Sequence, residues 1–507
     1  MKYPTDFNRR DFLKLLSLGG APLLRKPLRK LGSSQGQAKN ILILVYDAWT
    51  SMNMGQFGYA RDTMPQLAEL SRKAIVYHKH HATGDYTTPG TASLLTGTLP
   101  WTHRALHVAG RVREELEGNN LFNLFDDYYT LAYSHNVLVN VLLEQMLTSG
   151  LDEYVPFHEM LLYSDWVEKV FHEDRDLSSV SAYYAFDREN PLRNSLVLGP
   201  LIEWLTKFSL ESTIEQYAER FPLGLPRTTR NTHYILEDAR DWLLRELPQQ
   251  ELPYLGYFHF LPPHDPYRTR AEFVGRFEDG WEAPEKPEHP FHGDIPKRRA
   301  DVLRREYDEF MAYVDAEFGA LYRGLEESGQ LENTILMLTS DHGESFERGL
   351  VRHGTNTFHE PILRVPLMIF DPDRPEGGDV YTPSSAIDLL PTLARIAGKP
   401  APQWAEGQVL APYGAEDASR AVFAATSKEG KTGEALEQGT WAIVREGYKL
   451  VEYVGYEALG GEAGYELYDL NADPDELKNI YESQPARALE LLQALRAEKD
   501  RAERALN

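Results

Sequence analysis

Along the chain, short apolar runs alternate with longer segments in which apolar residues recur every three or four positions. The run ILILVY at residues 41–46 is apolar throughout, which indicates a strand buried on both faces. Similar runs occupy residues 130–134, 254–260, 334–339 and 365–370. Helical spacing predicts a long helix from Leu303 to Leu325, ending near Gly329, and a shorter one over residues 65–74. Strands that alternate with helices predict an α/β fold in which helices cover both faces of a large, mostly parallel sheet.

The pattern changes near residue 420. Short runs predict a small antiparallel sheet with strands at residues 422–426, 440–444, 448–453 and 465–470. A final helix is predicted from residue 485, with Leu489, Leu492 and Leu495 on one face. We therefore predict a catalytic domain over residues 40–415 and a small carboxyl-terminal subdomain over residues 416–507.

Residues 150–230 fit the alternating pattern poorly, because Tyr, Trp, Phe and Leu are mixed there with charges of both signs. We predict a helical insertion over one edge of the sheet. Two interpretations stay open for it, a lid or substrate wall on one hand and a packing insert on the other.

Residues 1–39 predict a twin-arginine export signal followed by a linker. The segment NRRDFLK at residues 8–14 has the twin-arginine pattern, a short apolar run follows, and basic residues come after that run. The alternative is a basic tail with no targeting role. On the first interpretation the protein is exported to the periplasm or the extracellular space. No window of about 20 apolar residues occurs, so no transmembrane segment is predicted.

Charge and cysteine content narrow the possible functions. Lys plus Arg number 53 and Asp plus Glu 77, which leaves a net charge of −24. Such an acidic chain repels a phosphate backbone, so nucleic acid is not an expected partner. An anionic substrate needs a local positive field, which a bound metal ion supplies. The chain has no cysteine, which excludes disulfides, thiolate metal sites and cysteine nucleophiles.

Three predicted strands are followed by groups that can hold such an ion or contact its substrate. Asp47 ends the first strand, Asp341 and His342 follow the run at residues 334–339, and His264 follows the run at residues 254–260. Because ligands of open α/β sheets bind beyond the carboxyl ends of the strands, we expect these groups to converge. Oxygen and imidazole ligands without sulfur suit Mn, Zn, Mg or Ca.

A candidate nucleophile lies in the segment TTPGTASLLTG, which starts at Thr87. Pro89 is favourable as the first residue of a helix, which places Thr87 at a helix amino terminus. Backbone N–H groups favour negative charge there. A hydroxyl bound to a cation at that position can ionise and attack an ester.

Taken together, these motifs resemble the sulfatases and their relatives in the alkaline phosphatase superfamily. The resemblance covers roughly residues 40–500, except the segment near 150–230, and rests on VYDAW, TTPGTASLLTG, PPHDPY, TSDHGE, His353-Gly354, LRVPL, DLLPTLARIAG and YELYDLNADPDELKN. It implies a sulfatase-like sandwich with a small carboxyl-terminal sheet, and metal-assisted ester cleavage through a covalent intermediate. It further implies that Asp47, Thr87, Asp341 and His342 bind the metal. His264 and His353 would contact the transferred group or protonate the leaving oxygen.

The chain also departs from the sulfatase pattern. Sulfatases carry a Cys or Ser that becomes formylglycine, followed by x-Pro-x-Arg, whereas Thr87 and Thr91 stand at those two positions. The Gly-Lys motif after an early strand is replaced by Ser134-His135-Asn136. Threonine cannot form the aldehyde, and superfamily relatives with a threonine nucleophile act on phosphate. The segment DHGESFERGLVRHG also resembles the catalytic domains of phosphoethanolamine transferases.

The expected activity is therefore metal-dependent hydrolysis of an anionic phosphate or sulfate ester, free or linked to a glycan or lipid. It would proceed through a covalent threonine intermediate and without formylglycine. One alternative is a transferase that passes a phosphoethanolamine-type or phosphoglycerol-type group to a glycan or lipid. The other is a protein that binds anionic glycans without turnover. The sequence makes no prediction of the metal's identity or of the oligomeric state.

Overall fold

A computed structural model describes residues 38–163, 198–229, 232–293, 295–428 and 434–504. Its strands are β1 (Asn40–Tyr46), β2 (Ile75–Tyr77), β3 (His80–His81), β4 (Tyr129–Ser134), β5 (Glu153–Tyr154), β6 (Arg227–Thr229), β7 (Thr232–His233), β8 (Tyr254–Phe260), β9 (Thr334–Thr339), β10 (Leu367–Phe370), β11 (Gly378–Val380), β12 (Ser384–Ser385), β13 (Ala421–Thr426), β14 (Gly439–Arg445), β15 (Tyr448–Val454) and β16 (Gly464–Asp469). Its α-helices are α1 (Pro65–Leu70), α2 (Thr87–Thr96), α3 (Pro100–His103), α4 (Leu121–Leu124), α5 (Val137–Met146), α6 (Leu198–Tyr217), α7 (Leu236–Glu246), α8 (Lys297–Glu327), α9 (Glu360–Leu363), α10 (Leu389–Ile396) and α11 (Pro485–Arg504).

The predicted large sheet is present and mostly parallel. Eight strands lie in the order β11-β2-β10-β9-β1-β8-β4-β5. The strands from β9 to β5 run parallel to one another, and β10 is antiparallel to both of its neighbours. The strands predicted at residues 254–260 and 334–339 are confirmed at those bounds. The predicted long helix is confirmed as α8, which begins at Lys297.

Both faces of the sheet are buried, as the continuous apolar runs predict. Leu42, Leu44 and Tyr46 on alternate positions of β1 point into a core that also contains apolar residues of α7 and α8. Ile41, Ile43 and Val45 point into a second core, with apolar residues of α2, α5 and α10. Successive residues of a strand point to opposite faces, so an odd-numbered residue at the end of β1 faces the α2 side.

The carboxyl-terminal strands form a separate antiparallel sheet in the order β13-β14-β15-β16. Its face with Ile443 and Leu450 packs against α11 through Leu491, Leu492 and Leu495. Its other face packs against residues 358–363, which lie in the connection between β9 and β10 of the large sheet. The prediction that Leu489 lies on the buried face of α11 is wrong, because 56% of this residue is exposed.

A buried ion cluster joins the small sheet to the catalytic part of the chain. Lys449 on β15 is fully buried, and its Nζ lies 3.0 Å from Glu360 Oε1 and 2.5 Å from Glu476 Oε1. Glu360 begins α9, and its backbone N–H donates to Glu476 Oε2 at 2.8 Å. A buried cation held between two carboxylates is stable only while all three groups are present.

Some predicted segments fall partly or wholly outside the described residues. Of the predicted export segment and linker at 1–39, residues 1–37 lie outside them, as do residues 164–197 of the predicted insertion. Within the described part of that insertion, α6 is helical, but β5 pairs with β4 at the edge of the large sheet. No helix in the described ranges combines the length and the apolar character needed to cross a membrane.

Candidate metal centre and active site

Three of the residues predicted to bind metal lie together at the carboxyl ends of adjacent strands. Asp47 follows β1 directly, and Asp341 and His342 follow β9 after Ser340. One ligand atom of each lies within 4.8 Å of the others, and all three side chains are fully buried. Because β1 and β9 are paired in register from Asn40↔Thr334 to Val45↔Thr339, their ends lie side by side.

The nucleophile candidate reaches this cluster from a helix. Thr87 is the first residue of α2, two positions before Pro89, so the helix begins earlier than the proline predicts. Its Oγ1 lies 3.3 Å from His342 Nε2. The neighbouring Thr88 Oγ1 is buried and has no hydrogen-bond partner among the described residues. Of these two threonines, Thr87 is therefore the one whose hydroxyl contacts a residue of the cluster.

A glycine lets α2 approach the cluster so closely. A Cβ on Gly90 would lie 2.2 Å from the backbone oxygen of Asp341. Real side chains do not tolerate this contact, so the helix could not pack here with any other residue at that position. The amino terminus of α2 is thereby held against the turn that carries Asp341 and His342.

Two further residues contact the cluster, and neither was predicted as a site residue. His259 on β8 lies with Nε2 3.3 Å from Asp47 Oδ2 and 3.7 Å from Asp341 Oδ2. Asn136, after β4, donates through Nδ2 to Asp47 Oδ2 at 2.5 Å and to Thr87 Oγ1 at 3.3 Å. Asn136 therefore connects the nucleophile candidate to a predicted metal ligand.

His264 and His353 come together on the same side of His342. The ring of His353 lies 4.5 Å from the ring of His342 and 4.6 Å from that of His264, measured between centroids. His353 Nδ1 lies 3.0 Å from Glu344 Oε1, and Glu344 is fully buried. His264 Nδ1 donates to the backbone oxygen of Asp265 at 2.6 Å. Both hydrogen bonds orient the imidazoles, as carboxylate and carbonyl partners do in catalytic sites.

Comparison with known proteins identifies the family of this chain. The profile of the Sulfatase family matches residues 39–399, and that of the N-sulphoglucosamine sulphohydrolase carboxyl-terminal region matches residues 353–503. The chain belongs to the sulfatase family. The choline-sulfatase of Rhizobium meliloti (strain 1021) is 30% identical over 444 residues, which are 83% of this chain and 78% of that protein. A multifunctional alkaline phosphatase superfamily protein of Trinickia caryophylli is 22% identical over 87% of this chain and 91% of its own length.

Solved structures show the same fold. The phosphonate monoester hydrolase of Agrobacterium radiobacter superposes with a TM-score of 0.64 at 20% identity, over 91% of this chain and 96% of that structure. A protein in complex with its substrate D-glucosamine-2-N,6-O-disulfate has a TM-score of 0.64 at 16% identity, over 92% of this chain and 98% of its own. The protein is thus a sulfatase-like ester hydrolase of the alkaline phosphatase superfamily.

The electrostatics of this sulfatase-family site favour positive charge between the two aspartates. Burial alone would raise the pKa of Asp47, but His264, His259 and His342 around it outweigh burial and hold the pKa well below its usual value. Burial raises the pKa of Asp341, and the charge of Asp47 raises it further. Burial alone would lower the pKa of His342, whereas Asp341 and Asp47 raise it to about 10.

A divalent metal ion fits this cluster. Sulfatase-family enzymes are metal-dependent, and here two carboxylates and an imidazole offer hard donors without sulfur. Asp47 Oδ1 is buried, and it lies 3.3 Å from His342 Nε2 without a hydrogen bond of good geometry, so a bound cation would satisfy it. The raised pKa of His342 indicates that the two aspartates stabilise a positive charge on its imidazole. A metal ion bound by His342 would displace the extra proton of that imidazole.

The pKa values of His264 and His353 shift in opposite directions. Burial alone would lower the pKa of His264, but Asp47, Asp265 and Glu344 raise it above the usual value. Burial lowers the pKa of His353 well below the usual value, and the nearby His342 and His264 lower it further. These shifts favour the charged form of His264 and the neutral form of His353.

Proposed function

We propose that the protein is a metal-dependent hydrolase of sulfate or phosphate esters that attacks its substrate with Thr87 and needs no formylglycine. The observation that carries this proposal is the position of Thr87. This buried residue is the first of α2, and its Oγ1 lies 3.3 Å from His342 Nε2. The named substrates of relatives, which include choline sulfate, phosphonate monoesters and a sulfated glucosamine, support this range of esters.

In this proposal Asp47, Asp341 and His342 hold the metal ion, with Thr87 as a further ligand. When bound, the ion lowers the pKa of the Thr87 hydroxyl and offsets negative charge on the reacting group. Manganese, zinc, magnesium and calcium all remain compatible with this donor set. Asn136 keeps the Thr87 oxygen oriented by donating to it.

The first half-reaction transfers the sulfuryl or phosphoryl group to the protein. The Thr87 oxygen forms a bond to sulfur or phosphorus while the bond to the leaving oxygen breaks, and the hydroxyl proton of Thr87 goes to solvent. His264 donates a proton to the leaving oxygen, which departs as an alcohol. Backbone N–H groups in the first turn of α2 stabilise the negative charge that develops on the non-bridging oxygens.

The second half-reaction returns Thr87 to its starting state. Water attacks sulfur or phosphorus, and His353 takes one proton from it while Glu344 holds the opposite nitrogen of the imidazole. The bond to the Thr87 oxygen breaks, and that oxygen takes a proton from solvent. The second product is sulfate or phosphate from a monoester and a phosphomonoester from a phosphodiester. His264 regains a proton from solvent and His353 releases one, which closes the cycle.

A metal-reconstitution assay tests this proposal. The purified protein is treated with a chelator and reloaded separately with Mn, Zn, Mg and Ca, and turnover is measured on an aryl sulfate, an aryl phosphomonoester and an aryl phosphodiester. We expect metal-dependent turnover of at least one ester in wild type and a loss of at least a thousandfold in Thr87→Ala. Thr87→Ser keeps a hydroxyl at the same position and should retain measurable turnover.

A matched control is Thr88→Ala, which removes the neighbouring buried hydroxyl that has no hydrogen-bond partner among the described residues. Its turnover should stay within a few-fold of wild type. Full activity in Thr87→Ala would refute the nucleophile assignment and require direct attack by water. Trapping of the labelled group on Thr87, detected by peptide mass spectrometry after acid quench, would support the covalent step.

A transferase remains the second candidate, because the segment DHGESFERGLVRHG resembles phosphoethanolamine transferases, with His353 twelve residues after Asp341. It would share the first half-reaction and pass the group to a glycan or lipid hydroxyl instead of water. Adding acceptor alcohols to the assay separates the two. A transferase releases its leaving group faster with acceptor present, whereas the hydrolase rate does not depend on it.

The proposal also includes export and a two-part organisation. Export rests on the twin-arginine segment at residues 8–14 and places the enzyme in the periplasm or outside the cell. The division near residue 415 rests on the separate antiparallel sheet that begins with β13.

A further inference from the structure

The small carboxyl-terminal sheet places a lysine beside the active site. Strand β13 ends at Thr426, and Lys428 follows two residues later. The backbone N–H of Ala425 donates to Thr83 oxygen at 2.8 Å, which fixes the end of β13 next to the segment that leads into α2. The main chain is thereby anchored beside that segment three residues before Lys428.

Lys428 contacts two residues that are next to site residues in the sequence, one beside His353 and one beside Thr87. Its Nζ donates to the backbone oxygen of Gly354, which follows His353. The same Nζ lies 5.3 Å from the centroid of the Tyr86 ring, and Tyr86 precedes Thr87. The ammonium group thus lies next to the segments that carry Thr87 and His353, and because Lys428 is only partly buried, we describe this position as the rim of the site.

The charge of Lys428 has no carboxylate partner within 4 Å among the described residues. Three other lysines in the described ranges also lie over aromatic rings, and each pairs with a carboxylate: Lys73 with Glu326, Lys399 with Asp127 and Lys499 with Glu503. An ammonium group has three donors, and the Gly354 carbonyl uses one of them. In a chain with net charge −24, a lysine at the rim of the proposed site that has no carboxylate partner in the part of the chain that the structure describes favours an anionic ligand.

We propose that Lys428 binds a negative charge on the leaving group of the substrate, so that the preferred ester has a leaving alcohol that itself carries a carboxylate, sulfate or phosphate. This inference rests on the proposed function. Thr87, Asp341 and His342, which would contact the transferred group in the proposed function, are at most 2% exposed, whereas Lys428 is only partly buried. The part of the substrate that reaches Lys428 is therefore the part that remains outside, which is the leaving alcohol.

A pair of chromogenic esters tests this inference. The 4-nitrophenyl ester has an uncharged leaving group, and the 3-carboxy-4-nitrophenyl ester adds one carboxylate to the same chromophore. The measured quantity is the ratio of kcat/KM for the carboxylated ester to that for the uncharged ester, using the ester type and metal that wild type turns over best. We expect this ratio to fall about tenfold in Lys428→Met, which corresponds to about 1.4 kcal/mol.

Two control variants separate the role of charge from other effects. Lys428→Arg keeps the positive charge and should keep most of the wild-type ratio. Lys399→Met removes a lysine that also lies over aromatic rings but pairs with Asp127, and it should leave the ratio unchanged. A ratio that stays within twofold of wild type in Lys428→Met overturns the inference, whether both rates fall together or neither falls.

A binding measurement decides the matter even if neither ester is turned over. The released alcohol, 5-hydroxy-2-nitrobenzoate, is titrated into metal-loaded wild type and Lys428→Met by calorimetry, with 4-nitrophenol as the uncharged comparison. We expect the carboxylated alcohol to bind wild type about tenfold more tightly than it binds the variant. Equal binding to both proteins overturns the inference, while absent turnover with a binding difference refutes only the proposed function.

Discussion

Replacing Gly90 by alanine tests how closely α2 must approach the turn that carries two metal-ligand candidates. Inside a helix, alanine in place of glycine normally increases stability by about 1 kcal/mol. At Gly90 the added Cβ would lie 2.2 Å from the backbone oxygen of Asp341 and 2.9 Å from its carbonyl carbon. Helix propensity and local packing therefore predict opposite signs for the same substitution.

The expected losses of stability and activity follow from how far the added Cβ must move away from Asp341. Ordinary contact requires the helix or the Asp341 turn to move on the order of 1 Å. Overpacking of this kind typically costs about 1–3 kcal/mol, which exceeds the gain in helix propensity. A displacement of about 1 Å in a catalytic arrangement can reduce the rate about a hundredfold. We expect Gly90→Ala to be less stable than wild type and to lose about a hundredfold in kcat/KM, with weaker metal binding.

Three measurements on wild type, Gly90→Ala and Gly378→Ala check these expectations: denaturant unfolding, kcat/KM on the best ester, and metal titration. Gly378 on β11 serves as the control because a Cβ there meets nothing within 4 Å. Its alanine variant should match wild type in activity and metal binding. A Gly90→Ala protein that gains about 1 kcal/mol of stability and keeps full activity would refute the packing argument.

Three other predictions concern stability and export. Lys449→Met leaves the two buried glutamates that contact it without a cation, so unfolding should become easier by about 3–5 kcal/mol, measured by denaturant titration at pH 7. Burial raises the pKa of Asp315 to about 6, so the folded state binds a proton that the unfolded chain releases between pH 4 and 6. Stability should fall as pH rises through that window by up to about 1.4 kcal/mol per pH unit, and Asp315→Asn should remove that part of the slope. Replacing Arg9 and Arg10 by lysine should retain the protein in the cytoplasm, as cell fractionation would show; unchanged export would contradict the twin-arginine interpretation.

The elements predicted best from the sequence are the strands that are buried on both faces. Strands β8 and β9 are apolar on both faces, because cores lie on both sides of the sheet, and their predicted bounds match the structure. The helix α8 was predicted from its apolar spacing but starts at Lys297, six residues before Leu303. Its first turn contains mostly charged residues, which carry no apolar period.

Leu489 shows what periodicity cannot decide. Leu489, Leu491 and Leu492 are close in sequence, and helical spacing alone permits more than one apolar face. The small sheet packs against the face with Leu491 and Leu495 and leaves Leu489 exposed. The choice depends on where another part of the chain lies, which local spacing does not contain.

The two site residues that were missed had signals in the strand pattern. On β8, Leu255 and Tyr257 face the α2 core, so the same alternation directs His259 to that face, as it does Asp47 after β1. Asn136 lies two residues after the end of β4, just as Asp341 lies two residues after the end of β9. Lys428 had no such signal, because its neighbours come from distant segments of the chain.

The departures from the sulfatase pattern change which esters this site can stabilise. Thr91 replaces an arginine, and its hydroxyl lies 3.5 Å from Asp341 Oδ2. The segment Ser134-His135-Asn136 takes the place of the Gly-Lys motif, and its Asn136 donates to Asp47. Both replacements supply hydrogen bonds but no positive charge. In the proposed mechanism, the charge that offsets the transferred group would then come from the metal ion, from His264 and from the start of α2.

With fewer cations around it, the proposed site should favour a transferred group that carries one negative charge over a group that carries two. A sulfate monoester and a phosphodiester carry one such charge, whereas a phosphomonoester near neutral pH carries nearly two. The three esters of the reconstitution assay should therefore rank with the aryl sulfate or the phosphodiester above the phosphomonoester. Lys428 places the additional positive charge at the rim, where it acts on the leaving group and leaves that ranking unchanged.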